Sequence, residues 1–350
     1  MQLKHIYWFG YYNKSVPSIR YRALQPLAYC KTKFNITYNF VYPSYHPLQI
    51  LHFIHIYFSA LLNRKQNSII VFQKIYTNGI YARMLKYLLK KQPHGTIYDI
   101  DDAEYVRRPV DTIHHFMYHC SACTVGSAAL KAYAEKYNKH VYLLTSPIVY
   151  HHHIKHQKNT EFTIGWIGYY GAHYNSLNTY ILPVITQFPF PVHLIILGIT
   201  DAAQLDALLV QFAPYKHITI TAPLHINWLD EASIYSHILQ FDVGIAPLLD
   251  TEFNRAKSAY KMKQYLSCGI PVTASPVGEN NTFLKDGING FICKSADDFY
   301  EKITYIHELN QQDYNKMCRA ARAGLPDFCV DKYIGELIHV ADNLLLTVAP

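Results

Sequence analysis

The chain lacks several things, and each shortage narrows what it can be. It contains no run of about 18 apolar residues, so no transmembrane span is expected. The opening MQLKHIYWFGYY has no charged region followed by an apolar core, so no secretory leader is predicted. Seven cysteines, at 30, 120, 123, 268, 293, 318 and 329, are odd in number and irregular in spacing. That pattern argues against a disulfide framework and for a reducing cytosol. Only 16% of residues are charged while 50% are hydrophobic, which excludes a disordered chain. There is no long basic run and no recognised nucleic-acid module, so nucleic acid is not expected as a partner. The net charge of +7 leaves a phosphorylated substrate or an anionic membrane surface open, beside a plain role in solubility. The 31 tyrosines and 20 histidines read as compositional bias rather than as a sugar-binding surface.

What is present is an alternation of short apolar runs and helical patterns. At 350 residues the chain fits two domains of roughly 150–180 residues each. Strands are predicted at 4–9, 36–41, 68–72, 96–100, 119–125 and 141–144, with helices at 19–30, 74–91 and 127–137. A polar, His-rich stretch at 150–160 is the linker candidate. Beyond it, strands are predicted at 162–167, 192–197, 218–221, 243–246, 272–274 and 291–293. Helices are expected at 174–187, 201–212, 228–239, 256–268 and 295–309, the fourth ended by Gly269 and Pro271. Such alternation gives parallel sheets with crossovers. The expected division is 1–155, 160–330, and a terminal helix at 331–350 packing on the first domain. Two such sheets facing a cleft would place ligands beyond the C-terminal strand ends.

Five features carry candidate chemistry. Lys257 and Lys261, four apart on the predicted 256–268 helix, fall on one face near its N-terminus, with Ser258 between them and Tyr260 and Tyr265 nearby. Cations beside a helix N-terminus suit a diphosphate, and the plain alternative is a solvated face. Gly165-Trp166-Ile167-Gly168-Tyr169-Tyr170-Gly171 is a strand-to-helix turn spaced G-x-x-G-x-x-G rather than as the dinucleotide fingerprint. Its glycines, Gly168 and Gly171 among them, either admit a phosphate or serve geometry alone. Asp99, Asp101 and Asp102 stand at a strand end. Asp101 or Asp102 could bind an acceptor hydroxyl, act as a base, or cap a helix. His115, His119, Cys120 and Cys123 read as a buried strand rather than a zinc set, and His151-His152-His153 with His156 as a solvated linker. The apolar stretch 48–62, followed by Arg64 and Lys65, reads as a core helix, with a membrane-surface helix as the alternative.

Several segments resemble GT-B glycosyltransferases, particularly the family 4-like group (glycosyl transferases group 1). They are Asp242-Val243-Gly244-Ile245-Ala246-Pro247-Leu248, Lys257-Ser258 with Lys261, the run from Tyr265 to Ser275, Asp286-Gly287-Ile288-Asn289-Gly290-Phe291 and Ile164-Gly165-Trp166-Ile167-Gly168. In the first half Ser18-Ile19-Arg20-Tyr21-Arg22, Tyr98-Asp99-Ile100-Asp101-Asp102 and Val125-Gly126-Ser127 are also similar. The resemblance implies an α/β GT-B fold, two Rossmann-like domains with parallel sheets facing an inter-domain cleft. It implies transfer of a sugar from a nucleotide-diphospho-sugar to a glycan or lipid-linked acceptor, with retention, by front-face attack in which a donor phosphate oxygen takes the acceptor proton. The expected catalytic residues are Asp101, Asp102, Lys257 and Lys261. The expected substrate contacts are Gly10, Arg20, Arg22, Gly168, Gly171, Glu252, Ser258, Tyr265, Gly278 and Glu279, with no cofactor and no metal. The family's paired glutamates are replaced by Ala256 and Gln264, and Thr282 replaces its acid before the Asp-Gly turn; Glu252 or Glu279 could take over a donor hydroxyl. A nucleotide-sugar epimerase and a silent binding homologue are the rival readings. A cytoplasmic protein, peripheral on the inner face of an anionic membrane, is the expected location.

Overall fold

A computed structural model describes residues 2–62, 64–148, 154–325 and 328–346. The His151-His152-His153 tract of the linker candidate lies outside them. Contacts divide the chain into two units. The first comprises Met1–Pro147, Arg255–Ser258 and Phe328–Pro350, the second Ile148–Asn254 and Ala259–Asp327.

The first unit is built on six strands: β1 His5–Gly10, β2 Thr37–Val41, β3 Ser68–Gln73, β4 Thr96–Ile100, β5 Ala122–Val125 and β6 Val141–Leu143. They pair in the order β2-β1-β3-β4-β5-β6, every pairing parallel. Parallel strands are covered on both faces, which is why β1 and β3 are buried at every position. On one face Phe9 meets Phe53 and Phe72 meets Phe116, with ring centroids 6.4 and 5.0 Å apart. On the other, Ile6, Trp8, Val71 and Ile97 pack against Leu27 and the Val330–Leu346 helix through Tyr333, Ile334, Leu337, Ala341 and Leu344. That helix also ties down the start of the chain, where Asp342 Oδ1 accepts from the backbone of Gln2 at 2.8 Å and Leu3 at 2.9 Å.

The second unit repeats the plan with β7 Phe162–Ile167, β8 Val192–Leu197, β9 Ile218–Thr221, β10 Val243–Ala246, β11 Val272–Ala274 and β12 Gly290–Ile292. Their order is β12-β11-β10-β7-β8-β9, again all parallel. Its core joins Trp166, Leu194 and Val243 to Leu177, Phe299 and Tyr314 from the flanking helices. The Ala296–Glu308 helix opens on Ser295 and Asp298 in a reciprocal capping box.

Several expected boundaries move. The predicted 74–91 helix begins only at Ile80, because Lys74 adopts a left-handed backbone at φ 54° and the Asn78-Gly79 turn intervenes. The predicted 119–125 strand keeps only Ala122–Val125, since His119 closes an unforeseen Asp111–His119 helix. The predicted 174–187 helix starts at Tyr170 and breaks at Ile181, ahead of Pro183, whose ring cannot continue the ladder. The predicted 256–268 helix starts at Tyr260, because Ala259 is left-handed at φ 53°. The predicted 19–30 helix runs from Pro17 to Phe34 and widens into a π-type turn over Arg20–Leu24.

Because Leu337 is 1% exposed in a core closed by the last helix, Leu337→Ala should cost about 2–4 kcal/mol. Urea unfolding measures this. A loss under about 1 kcal/mol would show that the helix does not complete the core.

Candidate functional site

In the first unit the acids expected at the end of β4 are drawn into two buried ionic clusters. Asp99 faces Arg22, which donates from Nε to Oδ2 at 3.1 Å and from Nη2 to Oδ1 at 2.5 Å, both side chains being fully buried. Thr124 Oγ1 donates to the same carboxylate at 2.8 Å, and Arg22 Nη1 donates to the Leu144 carbonyl. The π-type turn carries Arg22 inward, where Tyr333 donates to its carbonyl at 3.1 Å. Burial opposes the Arg22 charge, and the adjoining Asp99 carboxylate overcomes it, so the guanidinium pKa is raised. Arg22 was expected to contact substrate. The structure commits its guanidinium to Asp99 and Leu144 and leaves no part of it exposed. Arg20 is nearly buried too, donating to the Lys14 and Ser15 carbonyls at 3.0 and 2.8 Å, which holds the loop before it. Gly10 ends β1 under the Phe40 ring, which a Cβ there would approach to 3.1 Å.

The second cluster centres on Lys74, which the sequence reading placed at the start of the 74–91 helix. Its ammonium lies 3.1 Å from Asp101, 2.6 Å from Asp102 and 3.5 Å from Glu104, with the side chain 4% exposed. Asp101 Oδ1 stands at ion-pair distance yet at an angle that makes no hydrogen bond, so that attraction is Coulombic. Lys257, in the Arg255–Ser258 segment of the same unit, is 3.9 Å from the other oxygen of Asp102. The two carboxyls are therefore driven apart. Burial raises the Asp101 pKa, with Lys74 opposing and Asp102 reinforcing the shift. For Asp102, burial works upward, but Lys74 and Lys257 outweigh it and hold the carboxyl below its ordinary range. Burial opposes the Lys74 charge as well, and Asp101, Asp102 and Glu104 together lift its pKa well above an ordinary lysine's. Unequal neighbours of this kind are a mark of functional carboxylates.

In the second unit the strand-to-helix turn and Lys261 come together. A Cβ placed on Gly168 would lie 2.5 Å from Lys261 Cε and 2.8 Å from its Nζ, and the residue is at φ 155°. Gly198, at φ 123°, lets β8 approach the same turn, since a Cβ there would meet the Gly168 carbonyl oxygen at 1.6 Å. Lys261 Nζ stands 4.8 Å from the Trp166 ring centre. Tyr265 accepts a hydrogen bond from the Ile167 N–H at 2.9 Å through its hydroxyl, and burial raises its pKa well above the phenolic range. Gly171 sits in the first turn of the Tyr170–Tyr180 helix, which opens with no side-chain cap. A cation and the N–H groups of a helix start thus share one end of β7.

The remaining expected residues scatter. Lys257 and Ser258 precede the left-handed Ala259 and are not on the Tyr260–Ser267 helix, so the expected common helical face with Lys261 does not form. Glu252 opens an exposed turn, Glu252–Arg255. Glu279 is buried, accepts from Thr282 Oγ1 at 2.9 Å, and follows Gly278 at φ 60°. Cys120 and Cys123 are buried thiols whose pKa values burial raises, that of Cys123 to about 12. Among the described residues no group of three His, Cys, Asp or Glu side chains converges as metal ligands would. Sequence reading missed Lys74 and Gly198 and named Trp166 only as part of the glycine turn. Only Gly198, at the end of a predicted strand, carried a signal that could have flagged it.

Residues 161–308 match the family model described as glycosyl transferases group 1. No curated protein's sequence matches the chain. Among solved structures, sucrose-phosphate synthase from Thermosynechococcus elongatus is similar at a TM-score of 0.73 and 12% identity, over 98% of this chain and 100% of that one. A glycosyltransferase from Rickettsia africae is similar at 0.68 and 11% identity, over 99% of each chain. HepE from Anabaena, solved with UDP-glucose, is similar at 0.66 and 12% identity, over 97% of this chain and 99% of that one. The chain has the GT-B fold, α/β with two parallel six-stranded sheets.

The ionic cluster yields a signed expectation. Asp102, with its pKa lowered, adds stability above the unfolded carboxylate value of about 4 and loses it as pH falls through the folded value. Lys74, with its pKa raised, contributes fully below the unfolded lysine value of about 10 and loses that only as pH rises through its folded pKa. Lys74→Met should therefore cost about 3–5 kcal/mol near neutrality. The deficit should narrow as the pH is lowered toward about 4, where the stranded carboxylates take up protons. Urea midpoints across this pH range measure it, and a deficit independent of pH would contradict the assignment.

Proposed function

We propose that the chain is a glycosyltransferase of the family 4-like group that moves a hexose from a nucleotide-diphospho-sugar to a hydroxyl of a glycan or lipid-linked saccharide. The observation that carries this is the seat of Lys261 against Gly168, inside the segment that matches the group 1 model. When the sugar–oxygen bond breaks, negative charge grows on the diphosphate. An ammonium and helix N–H groups fixed at that point stabilise the transition state more than the ground state. Glu279, in the same unit, is the carboxylate assigned to a donor hydroxyl. HepE's complex with UDP-glucose supports a uridine nucleotide as the first donor to try.

In the first unit, Asp102 in its ionised form orients the acceptor hydroxyl, with Asp101 beside it and Lys74 as the positioning residue that fixes both. Ala256 and Gln264 leave the helix region without the usual glutamates. The route that the family 4 resemblance implies is retaining, by front-face attack, a donor phosphate oxygen taking the acceptor proton. No cofactor or metal enters this reading, and it places the enzyme in the cytoplasm, at the inner face of the membrane.

The test is a thermal-shift panel of UDP, GDP, dTDP and their sugars. One nucleotide should stabilise the protein, by about 2.7 kcal/mol at a hundredfold excess over its Kd. Lys261→Ala and Gly168→Ala should each weaken that nucleotide at least about tenfold, as expected for a lost charge-assisted contact of about 1.5–3 kcal/mol. No shift with any nucleotide would overturn the donor site. A nucleotide shift without sugar transfer to any acceptor would favour the silent homologue to which Ala256 and Gln264 point.

A further inference from the structure

The parallel strands of the first unit all end at one rim, and ligands of such sheets sit beyond the strand ends. Gly10 of β1 pairs with Gln73 of β3, so the residues that follow them, Tyr11-Tyr12 and Lys74-Ile75-Tyr76, leave the sheet side by side. Lys74 turns to Asp102 and Glu104, while Tyr76 turns to Tyr11 and Tyr12. The Tyr11 ring centre lies 5.0 Å from that of Tyr12 and 4.6 Å from that of Tyr76, and the Tyr12 and Tyr76 hydroxyls are hydrogen-bonded to each other. Tyr76 is buried, whereas Tyr11 and Tyr12 are part-exposed. Arg108, an exposed residue, holds its guanidinium 5.2 Å from the centre of the Tyr76 ring.

The backbone under these rings is fixed at several points. Tyr81 donates to the Gly10 carbonyl at 2.9 Å, the Tyr11 N–H to the Gln73 carbonyl at 3.1 Å, and Tyr98 to the Ile75 carbonyl at 3.0 Å. Arg108 is tied to the ionic cluster, its N–H donating to the Glu104 carbonyl at 2.9 Å. Glu104 lies 3.5 Å from the Lys74 ammonium, and that ammonium 2.6 Å from Asp102, so rings and acids share one rim. Burial and then Glu104 raise the Tyr12 pKa against Lys74 and Arg108, which keeps its hydroxyl protonated and able to donate. Part-exposed tyrosines at such a rim offer an apolar face with a polar edge. A pyranose offers the matching pair, a face of C–H groups and an edge of hydroxyls.

We propose that Tyr11, Tyr12 and Tyr76 form a stacking platform for the acceptor and that Arg108 binds an anionic group on it, so that the acceptor is a saccharide carrying a carboxylate or a phosphate. The sugar lies on the exposed parts of the Tyr11 and Tyr12 rings, with its reacting hydroxyl toward Asp102. A guanidinium meets a carboxylate or a phosphate through two parallel N–H donors, a match that no neutral hydroxyl makes. Lys74 lies among Asp101, Asp102 and Glu104, and Lys257 is 3.9 Å from Asp102, so their cations offset the acids and an anion is not turned away. The role as acceptor rests on the glycosyltransferase reading. The subsite itself lies wholly in the first unit and shares no residue with the donor site.

The test is saturation-transfer NMR of the full chain with methyl glucoside, glucuronic acid and glucose 6-phosphate, each titrated into the millimolar range. At least one anionic sugar is expected to bind about tenfold or more tightly than the neutral one, and the tighter of the two identifies the anion as carboxylate or phosphate. Arg108→Gln should remove that preference and leave the neutral sugar unchanged. Tyr12→Ala should weaken every sugar by about three- to tenfold, and Tyr12→Phe, which keeps the ring, by less than about twofold. Neither Arg108→Gln nor Tyr12→Phe opens a cavity, so both report on a folded chain. The nucleotide thermal shift should be the same in all three variants, since the donor site lies in the other unit. A nucleotide shift with no saccharide bound overturns this proposal and spares the donor reading. Saccharide binding that depends on Arg108 and Tyr12 without any nucleotide shift does the reverse. Equal affinity for neutral and anionic sugars would also overturn it. So would a Tyr12→Ala variant that binds as the parent does, which would make the three rings packing alone.

Discussion

The buried pair of Arg22 and Asp99 is the constraint on which the first unit is assembled. Neither side chain is exposed, so each ion survives there only because the other, with Thr124 and the Leu144 carbonyl, supplies its hydrogen bonds. The pair joins parts far apart in sequence: the widened turn of the first helix, the middle of β4, the chain leaving β6 and, through Tyr333, the last helix. It also fixes the chain leaving β4, and the acids that follow gather around Lys74. Asp101 and Asp102 thus inherit their positions from Asp99 just before them.

In the second unit close packing around a glycine turn positions the lysine. Lys261 is seated by the absence of a side chain at Gly168 and by the Trp166 ring, and Gly198 lets the neighbouring strand close on that turn. Tyr265 locks the helix carrying Lys261 to the end of β7 through one hydrogen bond to Ile167. Lys261 is thus placed beside a glycine and an aromatic ring, whereas Lys74 is placed by its carboxylate neighbours.

Much of the fold was legible because parallel strands buried on both faces are written as short apolar runs, as in β3 and β8. The errors share a physical cause. Lys74 and Ala259 both take left-handed backbones without being glycine, and no sequence signal marks such a residue. Each misplaced a helix start, and with it a lysine: Lys74 was read as opening a helix when it is the centre of an ionic cluster, and Lys257 was read as sharing a helix with Lys261. The Asp111–His119 helix was missed because its apolar residues run into the strand after it, and over so short a run the two periods are not separable. Arg22 was legible as part of a motif, but its burial came from a π-type turn that propensity does not announce. The two lysines, the glycine turn and the acids were therefore found as residue types, and their grouping into two separate clusters was not.

The discontinuity of the first unit has a consequence for how the protein is made. All but four residues of the segment from Ile148 to Asp327 belong to the second unit, whereas the first needs both the opening of the chain and the helix that begins at Val330. During synthesis the first sheet emerges early with one face lacking Tyr333, Ile334 and Leu337, while the second unit emerges with all its strands and core helices. The usual order, in which the N-terminal domain completes first, is therefore reversed. The earliest part of this chain to be translated is the last to become native, and until then it depends on whatever covers its incomplete apolar face.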